Sequence, residues 1–324
     1  MHPGNRLIHL DPTAVSDTLA AAGLTTSGCP LLPFGGGIDN HVFLVHGTGG
    51  RELIVKVPAP GRRPRYAVAA WAAAQLAAVG IPAPKPVWHA DHILVETRCP
   101  GRPLIATTNR GVAARFAYEA GQLLRQVHDV PVTGYGRLSP DGTAEHPRIE
   151  TWLLRPPTPA EPVSGTLRNL MEKVTAVLRT YAPLVADAPS RLLHGDWTAR
   201  HVLHTRTQIT GVVDLESVRG GDPVADVAGW SLQEPAYLTE ALASGYFAAP
   251  PDEHRLTVMV VHRLRIALFL LAFHTRCGED YLVKLRAQQI INDLDDLANG
   301  RPRLVPRLLA PAPPLPDHSR RSSR

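Results

Sequence analysis

Residues 193–203 read LHGDWTARHVL, and after a polar turn residues 209–216 read ITGVVDLE. Phosphoryl transfer requires a carboxylate that orients the attacking hydroxyl and accepts its proton, together with ligands for the metal ions that bridge the phosphates. Asp196 is the candidate base in this stretch, and His201 and Asp214 are candidate metal ligands. The stretch therefore contains the residue types that a phosphoryl-transfer site requires.

Three motifs in this part of the chain run in the same order as in a known family. His194–Asp196 read His-Gly-Asp, Asp214–Glu216 read Asp-Leu-Glu, and Gly221–Asp226 begin with Gly-Asp-Pro and end in Asp. In these motifs the sequence resembles the aminoglycoside phosphotransferase family, whose members share the two-lobed fold of the protein kinases. The resemblance implies an α+β protein with a small antiparallel β N-terminal lobe and a larger, mostly helical C-terminal lobe.

The resemblance implies a role for each polar residue of the stretch. Asp196 would be the catalytic base, and Asp214 would bind Mg²⁺ through hard oxygen ligands. His194 and Asp226 are expected to support the loop. The family usually has asparagine at the position of His201, but the macrolide phosphotransferases, which this loop is closest to in character, have histidine there. A neutral imidazole nitrogen can bind a divalent cation and suits softer ions than Mg²⁺, so Mn²⁺ is a second candidate metal. The alternative for His201 is a structural ring beside a site with one metal.

The N-terminal lobe supplies the candidate phosphate-binding residues. Gly35, Gly36 and Gly37 lie between two predicted strands, where backbone amides can approach a phosphate without interference from a Cβ atom. Lys56 lies in an apolar strand, where a charge needs a reason to point inward. The resemblance implies that this lysine pairs with the α- and β-phosphates of the nucleotide. The alternative is a solvent-facing lysine at a sheet edge.

The strand that leaves the first lobe supplies the candidate base-binding residues. The resemblance implies that backbone groups of Glu96, Thr97 and Arg98 face the nucleotide base, because the inter-lobe strand of this fold does so.

One residue that the resemblance leads us to expect is absent. The family usually has a glutamate in the helix after the lysine strand, but no acidic residue occurs between Glu52 and Asp91, and Val68 or Ala69 occupies its place. The ion pair that would orient the lysine is therefore missing, or its carboxylate comes from elsewhere in the fold.

The pattern of apolar residues divides the chain after about residue 98. Residues 1–98 are the predicted nucleotide-binding lobe, and residues 99–300 are the predicted catalytic and acceptor-binding lobe. Residues 301–324 are rich in Pro and Arg without periodicity, which is typical of a disordered tail. Strands are predicted at 32–34, 40–45, 53–57, 93–96, 202–204 and 209–214, and helices at 66–79, 111–128, 165–181, 237–247, 252–274 and 279–297.

Composition excludes several classes of protein. The 34 Lys and Arg residues against 29 Asp and Glu give a net charge of +5, and the arginine, alanine and proline content is typical of a GC-rich genome rather than of a nucleic-acid surface. The three cysteines are widely spaced, which indicates neither a disulfide framework nor a zinc site. We find no signal peptide and no apolar stretch of about 18 residues, the length that a membrane helix needs. We therefore expect a cytoplasmic protein that binds neither nucleic acid nor membrane.

These observations predict an enzyme that transfers the γ-phosphate of ATP or GTP to a hydroxyl of an antibiotic or related natural product. A metabolite kinase of the homoserine or choline type is the first alternative. A nucleotide-binding pseudokinase module is the second, and only the absent helix glutamate favours it. The sequence leaves open the identity of the acceptor and the oligomeric state, because acceptor pockets are built from segments that vary freely.

Overall fold

The computed structural model describes residues 11–155 and 165–307. Its N-terminal lobe is built on a five-stranded antiparallel sheet with the strand order β1-β2-β3-β5-β4, which confirms the predicted small antiparallel lobe. The elements of this lobe are α1 (Pro12–Ala21), β1 (Leu32–Gly36), β2 (Asn40–His46), β3 (Glu52–Pro58), α2 (Tyr66–Ala78), β4 (Pro86–Ala90) and β5 (Ile93–Thr97).

Strand β3 lies in the middle of this sheet, between β2 and β5. Side chains alternate between the two faces of a strand, so Val55 and Val57 enter a core beneath α1, while Lys56 points to the opposite face. Lys56 is only 7% exposed. The alternative of a solvent-facing edge lysine is therefore wrong.

Helix α1 is absent from the sequence predictions. Its start carries two recognisable signals: the carboxylate of Asp11 accepts a hydrogen bond from the Thr13 amide at 2.9 Å, and Pro12 occupies the first helical position. Val15 and Leu19, four residues apart, are buried against the sheet. The helix was missed because it has only ten residues and one short apolar face.

The second lobe is mostly helical, as predicted. Residues 98–101 lead into it from β5. Its elements are β6 (Arg102–Pro103), α3 (Arg110–Val127), β7 (Tyr135–Leu138), β8 (Ala144–His146), α4 (Ile149–Leu153), α5 (Gly165–Tyr181), β9 (Arg191–Leu193), β10 (Val202–His204), β11 (Ile209–Val212), β12 (Arg219–Gly221), α6 (Val224–Gln233), α7 (Ala236–Tyr246), α8 (Glu253–Cys277) and α9 (Asp280–Ala298).

Two small antiparallel sheets position the functional loops of this lobe. One has the order β11-β10-β6 and contains the predicted hairpin, and the other has the order β8-β7-β12-β9. Strand β9 leads directly into the loop that carries Asp196, and β10 and β11 separate this loop from Asp214. Strands β6, β7, β8, β9 and β12 were not predicted, because runs of two to four residues carry too little alternation to recognise.

Helix α8 is long and apolar enough to cross a membrane by length and composition. Its most apolar stretch has a mean hydropathy of 1.9, which contradicts the expectation that the chain has no apolar stretch of membrane-spanning length. However, 61% of that stretch is buried inside the protein. Its Arg263 forms an ion pair with Asp293 of α9 at 2.6 Å, and both side chains are fully buried. These contacts make α8 the core helix of the second lobe.

The first residues of the predicted disordered tail have defined contacts. The backbone carbonyls of Arg303 and Leu304 accept hydrogen bonds from Arg263 at 3.0 and 3.1 Å, and Arg307 forms an ion pair with Asp296 at 3.1 Å. The predicted boundary at residue 300 is therefore too early, because α9 supplies carboxylates that pair with the arginines. Residues 308–324 lie outside the described residues.

Candidate active site

The catalytic loop, residues 194–201, is held by a buried aspartate on α6. Asp226 accepts hydrogen bonds from the backbone amides of His194 at 2.7 Å and Gly195 at 2.9 Å, and from the His128 ring at 3.3 Å. Burial by itself raises the pKa of this carboxyl group, but His128 and the loop amides outweigh burial and hold the pKa below its usual value. The sequence prediction that Asp226 supports the loop agrees with these contacts.

Gly195 bends the loop sharply beside Asp196. Its φ of +79° lies in the left-handed region, and a Cβ atom there would collide with the Ser217 carbonyl and the guanidinium of Arg219. Arg219 donates a hydrogen bond to the Gly195 carbonyl at 3.0 Å. Glycine at this position therefore lets β12 pack directly against the catalytic loop.

His194 fastens the loop to the end of the β10–β11 hairpin. Its Nε2 donates to the Val213 carbonyl at 3.0 Å, and its Nδ1 accepts from the Asp196 amide at 3.3 Å. Burial, followed by the neighbouring His201, lowers the pKa of His194, in keeping with the neutral ring that these two contacts require. His194 is thus a structural residue that orients Asp196.

The two predicted metal ligands and the predicted base come together. One ligand atom from each of Asp196, His201 and Asp214 lies within 4.8 Å of the other two. The Asp196 and Asp214 side chains are each 39% exposed and His201 is 18% exposed, so the cluster opens to solvent on one side. A substrate and a metal ion can therefore reach these atoms.

The orientation of the His201 ring suits a metal ligand. Its Nδ1 lies 2.8 Å from the backbone carbonyl of Asp196, and because a carbonyl only accepts, Nδ1 carries the proton. In the neutral ring Nε2 then presents a lone pair 3.4 Å from the Asp214 carboxylate. Two acceptors at this distance repel each other unless a metal ion or a proton lies between them, and a second hydrogen bond of this kind is typical of metal-binding histidines. The donor set of two carboxylates and one imidazole therefore fits a divalent cation.

Asp214 has an unusual backbone conformation. Its φ of 69° makes it the single non-glycine residue with positive φ in residues 11–155 and 165–307. Such conformations cost roughly 1–3 kcal/mol and cluster at functional sites. Burial raises the pKa of the carboxyl group, but Lys56, Glu216 and His201 together lower it below its usual value. The carboxylate is therefore charged and ready to bind a cation.

Lys56 reaches from β3 into the same cleft. Its Nζ lies 3.7 Å from Asp214, 3.4 Å from Glu96 and 3.1 Å from Glu216. Burial alone would lower the pKa of the lysine, but the three carboxylates raise it above its ordinary value. Lys56 is therefore fully protonated and lies among three carboxyl groups, and burial raises the pKa of two of them, Glu96 and Glu216.

The missing helix glutamate is replaced from elsewhere in the fold. No carboxylate reaches Lys56 from α2; instead Glu216, from the 3-10 helix Leu215–Ser217, and Glu96, from β5, form the ion pairs. The sequence left open whether the ion pair is missing or its carboxylate comes from elsewhere in the fold, and the structure shows the latter. Glu96 was predicted only for its backbone, and its buried side chain is an addition that the structure reveals.

The three predicted glycines form an open turn at the end of β1. Gly35 has a φ of +109°, and a Cβ atom added at Gly35 or Gly37 would meet no atom within 4 Å. The amide of Gly37 donates to the Asn40 carbonyl at 3.2 Å, and Gly36 ends the strand. Phosphate binding by this turn remains a prediction.

Two backbone amides of the predicted base-binding segment form hydrogen bonds with neighbouring chain segments of the N-terminal lobe. The Thr97 amide donates to the Lys85 carbonyl at 2.9 Å, and the Arg98 amide donates to the Glu52 carbonyl at 3.3 Å. The Arg98 guanidinium pairs with the Glu52 carboxylate at 2.7 Å and lies over the Phe34 ring. Base recognition through Glu96, Thr97 and Arg98 therefore stays a prediction.

Several residues of the site were missed by sequence reasoning. Glu234 accepts a hydrogen bond from the Ala199 amide at 2.8 Å, and Arg65 donates to the Glu216 carbonyl at 2.8 Å. Asn40 donates to the Glu216 carboxylate at 3.3 Å. Only Glu216 carried a signal, as the last residue of the Asp-Leu-Glu motif; the other contacts join residues far apart in the chain.

The fold and this site define a phosphotransferase that acts on small molecules. A family model described as the phosphotransferase enzyme family matches residues 30–257, and the chain belongs to that family. A search of curated proteins finds no sequence match.

Solved structures share the fold at low sequence identity. A thermostable mutant of aminoglycoside phosphotransferase APH(4)-Ia, in a ternary complex with AMP-PNP and hygromycin B, has a TM-score of 0.72 and 17% identity, with 88% of this chain and 99% of that chain covered. A choline/ethanolamine kinase family protein from Mesorhizobium loti has a TM-score of 0.63 and 17% identity, covering 89% and 98%. Macrolide 2′-phosphotransferase MphH from Brachybacterium faecium has a TM-score of 0.56 and 19% identity, covering 85% and 96%.

Proposed function

We propose that this protein transfers the γ-phosphate of ATP or GTP to a hydroxyl group of an antibiotic or a related natural product. The observation that carries the proposal is the cluster of Asp196, His201 and Asp214 within 4.8 Å, together with Lys56, whose Nζ lies 3.7 Å from Asp214. Base, metal ligands and phosphate-binding lysine are the parts that phosphoryl transfer requires, and here they share one cleft.

Each side chain has a separate task in this proposal. Lys56 contacts the phosphates of the donor, while Asp214 and His201 hold the divalent cation, Mg²⁺ or Mn²⁺. A divalent cation held by these two residues would supply neutralisation of the charge that develops on the phosphate oxygens. The lowered pKa of Asp214, whose carboxylate lies 3.4 Å from the His201 ring, supports this assignment.

Asp196 is the base that accepts the proton of the acceptor hydroxyl. Its amide is bonded to His194 and its carbonyl to His201, at 3.3 and 2.8 Å, so the backbone is fixed on both sides. Its carboxylate remains 39% exposed, which leaves it accessible to a hydroxyl from the open side. A fixed backbone and an accessible carboxylate are what a positioned general base needs.

The acceptor class is the finer part of the proposal. Two of the structural neighbours are an aminoglycoside and a macrolide phosphotransferase, and His201 matches the residue expected of macrolide phosphotransferases. The neighbour from the choline/ethanolamine kinase family supports a metabolite kinase as the second candidate. The intact arrangement of Lys56, Asp196 and Asp214 argues against a pseudokinase module.

A phosphorylation screen tests the proposal. Purified protein is incubated with Mg²⁺, ATP or GTP, and macrolides, aminoglycosides, nucleoside and peptide antibiotics, with choline, ethanolamine and homoserine in the same panel. The readout is the mass gain of one phosphoryl group on the acceptor, and Asp196→Ala is the matched inactive control. Phosphorylation of an antibiotic supports the proposal. Phosphorylation of choline, ethanolamine or homoserine alone favours the second candidate, and no turnover with any acceptor contradicts both.

We further propose that the protein acts in the cytoplasm without nucleic-acid or membrane partners. The buried ion pair of Arg263 on the apolar helix α8 and the compositional origin of the positive charge support this.

A further inference from the structure

Lys56 depends on carboxylates that its neighbouring helix does not provide. Helix α2 follows β3 in the chain, and residues 53–90, which include the helix, contain no Asp or Glu. A lysine side chain has four rotatable bonds and loses rotamer entropy when it is fixed. Some other group must therefore hold the ammonium in place.

Glu216 makes the more extensive contact with this lysine. Both of its carboxylate oxygens lie within hydrogen-bonding distance of Nζ, at 3.1 and 3.2 Å, whereas Glu96 approaches with one oxygen at 3.4 Å. The Lys56 and Glu216 side chains are 9% and 13% exposed, so solvent screens their attraction only weakly. Glu216 is thus the principal partner of Lys56.

The first turn of α2 holds Glu216 through neutral groups and an arginine. The Tyr66 hydroxyl donates to Asn40 at 2.7 Å, and the Asn40 amide donates to the Glu216 carboxylate at 3.3 Å. Arg65 donates to the backbone carbonyls of Glu216 at 2.8 Å and Val218 at 3.2 Å. Side chain and backbone of Glu216 are therefore both fixed from the same helix turn.

We propose that Glu216 is the positioning residue for Lys56, and that Tyr66, Asn40 and Arg65 form the brace that keeps its carboxylate in place. Helix α2 then acts on the lysine through hydrogen bonds to the segment that follows Asp214, and not through a carboxylate of its own. The inference rests on the proposed role of Lys56 in binding a nucleoside triphosphate. Because Asp214 and Glu216 lie two residues apart, the brace also ties the phosphate-binding lysine to the metal-binding segment.

The test measures nucleotide binding and catalysis separately. The Kd of AMP-PNP is determined by calorimetry at saturating Mg²⁺, which needs no acceptor, and kcat is determined with an acceptor from the screen or by ATP hydrolysis. We expect Glu216→Gln to raise the Kd or lower kcat by a combined factor of roughly ten to a hundred, the range of a charge-assisted hydrogen bond. Tyr66→Phe, which keeps the carboxylate and the fold, should cause a loss of about three- to tenfold in the same parameter.

A double-mutant cycle distinguishes positioning from other roles. If Glu216 acts through Lys56, Glu216→Gln in a Lys56→Met background has little further effect. Glu119→Gln on α3, which breaks a partly exposed ion pair with Arg115, is the matched control and should leave both parameters unchanged. The Mg²⁺ concentration for half-maximal rate should stay within about twofold in Glu216→Gln, because a positioning residue is not a metal ligand.

Three results would overturn the inference. One is an effect of Glu216→Gln that is equally large with and without Lys56. Another is a shift in the Mg²⁺ requirement with unchanged AMP-PNP affinity, which would make Glu216 a metal ligand. The third is a Tyr66→Phe variant with wild-type Kd for AMP-PNP and wild-type kcat, because the brace would then have no effect on Lys56. A wild-type protein that does not bind AMP-PNP at all would instead refute the proposed donor, and the inference with it.

Discussion

Replacing Asp226 by asparagine should weaken the hydrogen bonds that hold the catalytic loop to α6. The carboxylate accepts two loop amides, at 2.7 and 2.9 Å, and the His128 ring at 3.3 Å, and it is 4% exposed. Asparagine keeps the shape but has one acceptor oxygen, so its amide group faces one of the two loop N–H donors. One buried donor is left unsatisfied, at about 1–3 kcal/mol, and the remaining bonds lose their charge assistance, at about 1 kcal/mol. We expect a destabilisation of about 2–4 kcal/mol.

The same change should slow catalysis without removing nucleotide binding. His194 and Gly195 precede Asp196 directly, and a displacement of about 1 Å in a catalytic group can lower the rate by 10²-fold. Lys56 and the glycine turn lie on the other lobe and keep their positions. We expect kcat to fall by about ten- to a hundredfold, while the Kd of AMP-PNP changes less than about threefold.

The pH dependence follows from the lowered pKa of Asp226. A carboxyl group with a depressed pKa in the folded protein stabilises it at pH values above its ordinary pKa, about 3.9, and this contribution is lost as the pH falls through the folded-state pKa. The stability difference between wild type and Asp226→Asn should therefore be constant above about pH 5 and shrink on further acidification.

Urea unfolding at several pH values, followed by circular dichroism, measures these differences. Asp91→Asn, an exposed aspartate in the turn between β4 and β5, is the control and should change stability by less than about 0.5 kcal/mol. An Asp226→Asn variant with wild-type stability and wild-type kcat would show that the loop is held by other contacts. A stability difference that stays constant down to pH 3 would show that the charge of Asp226 is not responsible.

Three further predictions concern the metal ligands, the base and the core. His201→Ala should raise the Mg²⁺ or Mn²⁺ concentration for half-maximal rate by about tenfold or more. His201→Asn should preserve much of the activity, because a carboxamide oxygen is a suitable metal ligand. If the metal titration of the alanine variant were unshifted, the histidine would be structural. Asp196→Ala should lower kcat by roughly 10²–10⁴-fold, while the affinity for AMP-PNP is largely retained. If the variant kept more than about a tenth of wild-type kcat, Asp196 would not be the base. Arg263→Met should destabilise the protein by about 3–5 kcal/mol in urea unfolding, because it leaves Asp293 charged and buried without its partner. The double variant with Asp293→Leu should recover much of that loss. Equal stability of the single and double variants would contradict this account.

Much of the fold could be predicted because its signals are local. Helices α2, α3, α8 and α9 have long periodic or alanine-rich sequences, and the hairpin after Asp196 alternates clearly. The sequence predictions missed the helices α1 and α4 and the strands β4, β6, β7, β8, β9 and β12, which are short and stabilised by packing rather than by their own pattern. The boundary of the C-terminal tail was misplaced because pairing with α9 orders residues that composition alone assigns to a disordered segment.

The sequence by itself identified the residues that form the candidate site. Asp196, His201 and Asp214 lie close together in the chain, on a loop and a hairpin whose spacing brings them to one side, so their meeting could be expected from the order of residues alone. The same holds for the absence of a carboxylate on α2, which is a fact of composition.

Only the tertiary structure decided how Lys56 is held and which way the His201 ring faces. Lys56 and Glu216 are separated by 160 residues, and no local pattern specifies a contact between chain segments that far apart. The ring orientation depends on a single hydrogen bond to the Asp196 carbonyl, which exists only once the loop has its folded shape. Composition and periodicity can be read from the sequence alone. Long-range contacts and side-chain orientations are set only when both lobes pack around the same cleft.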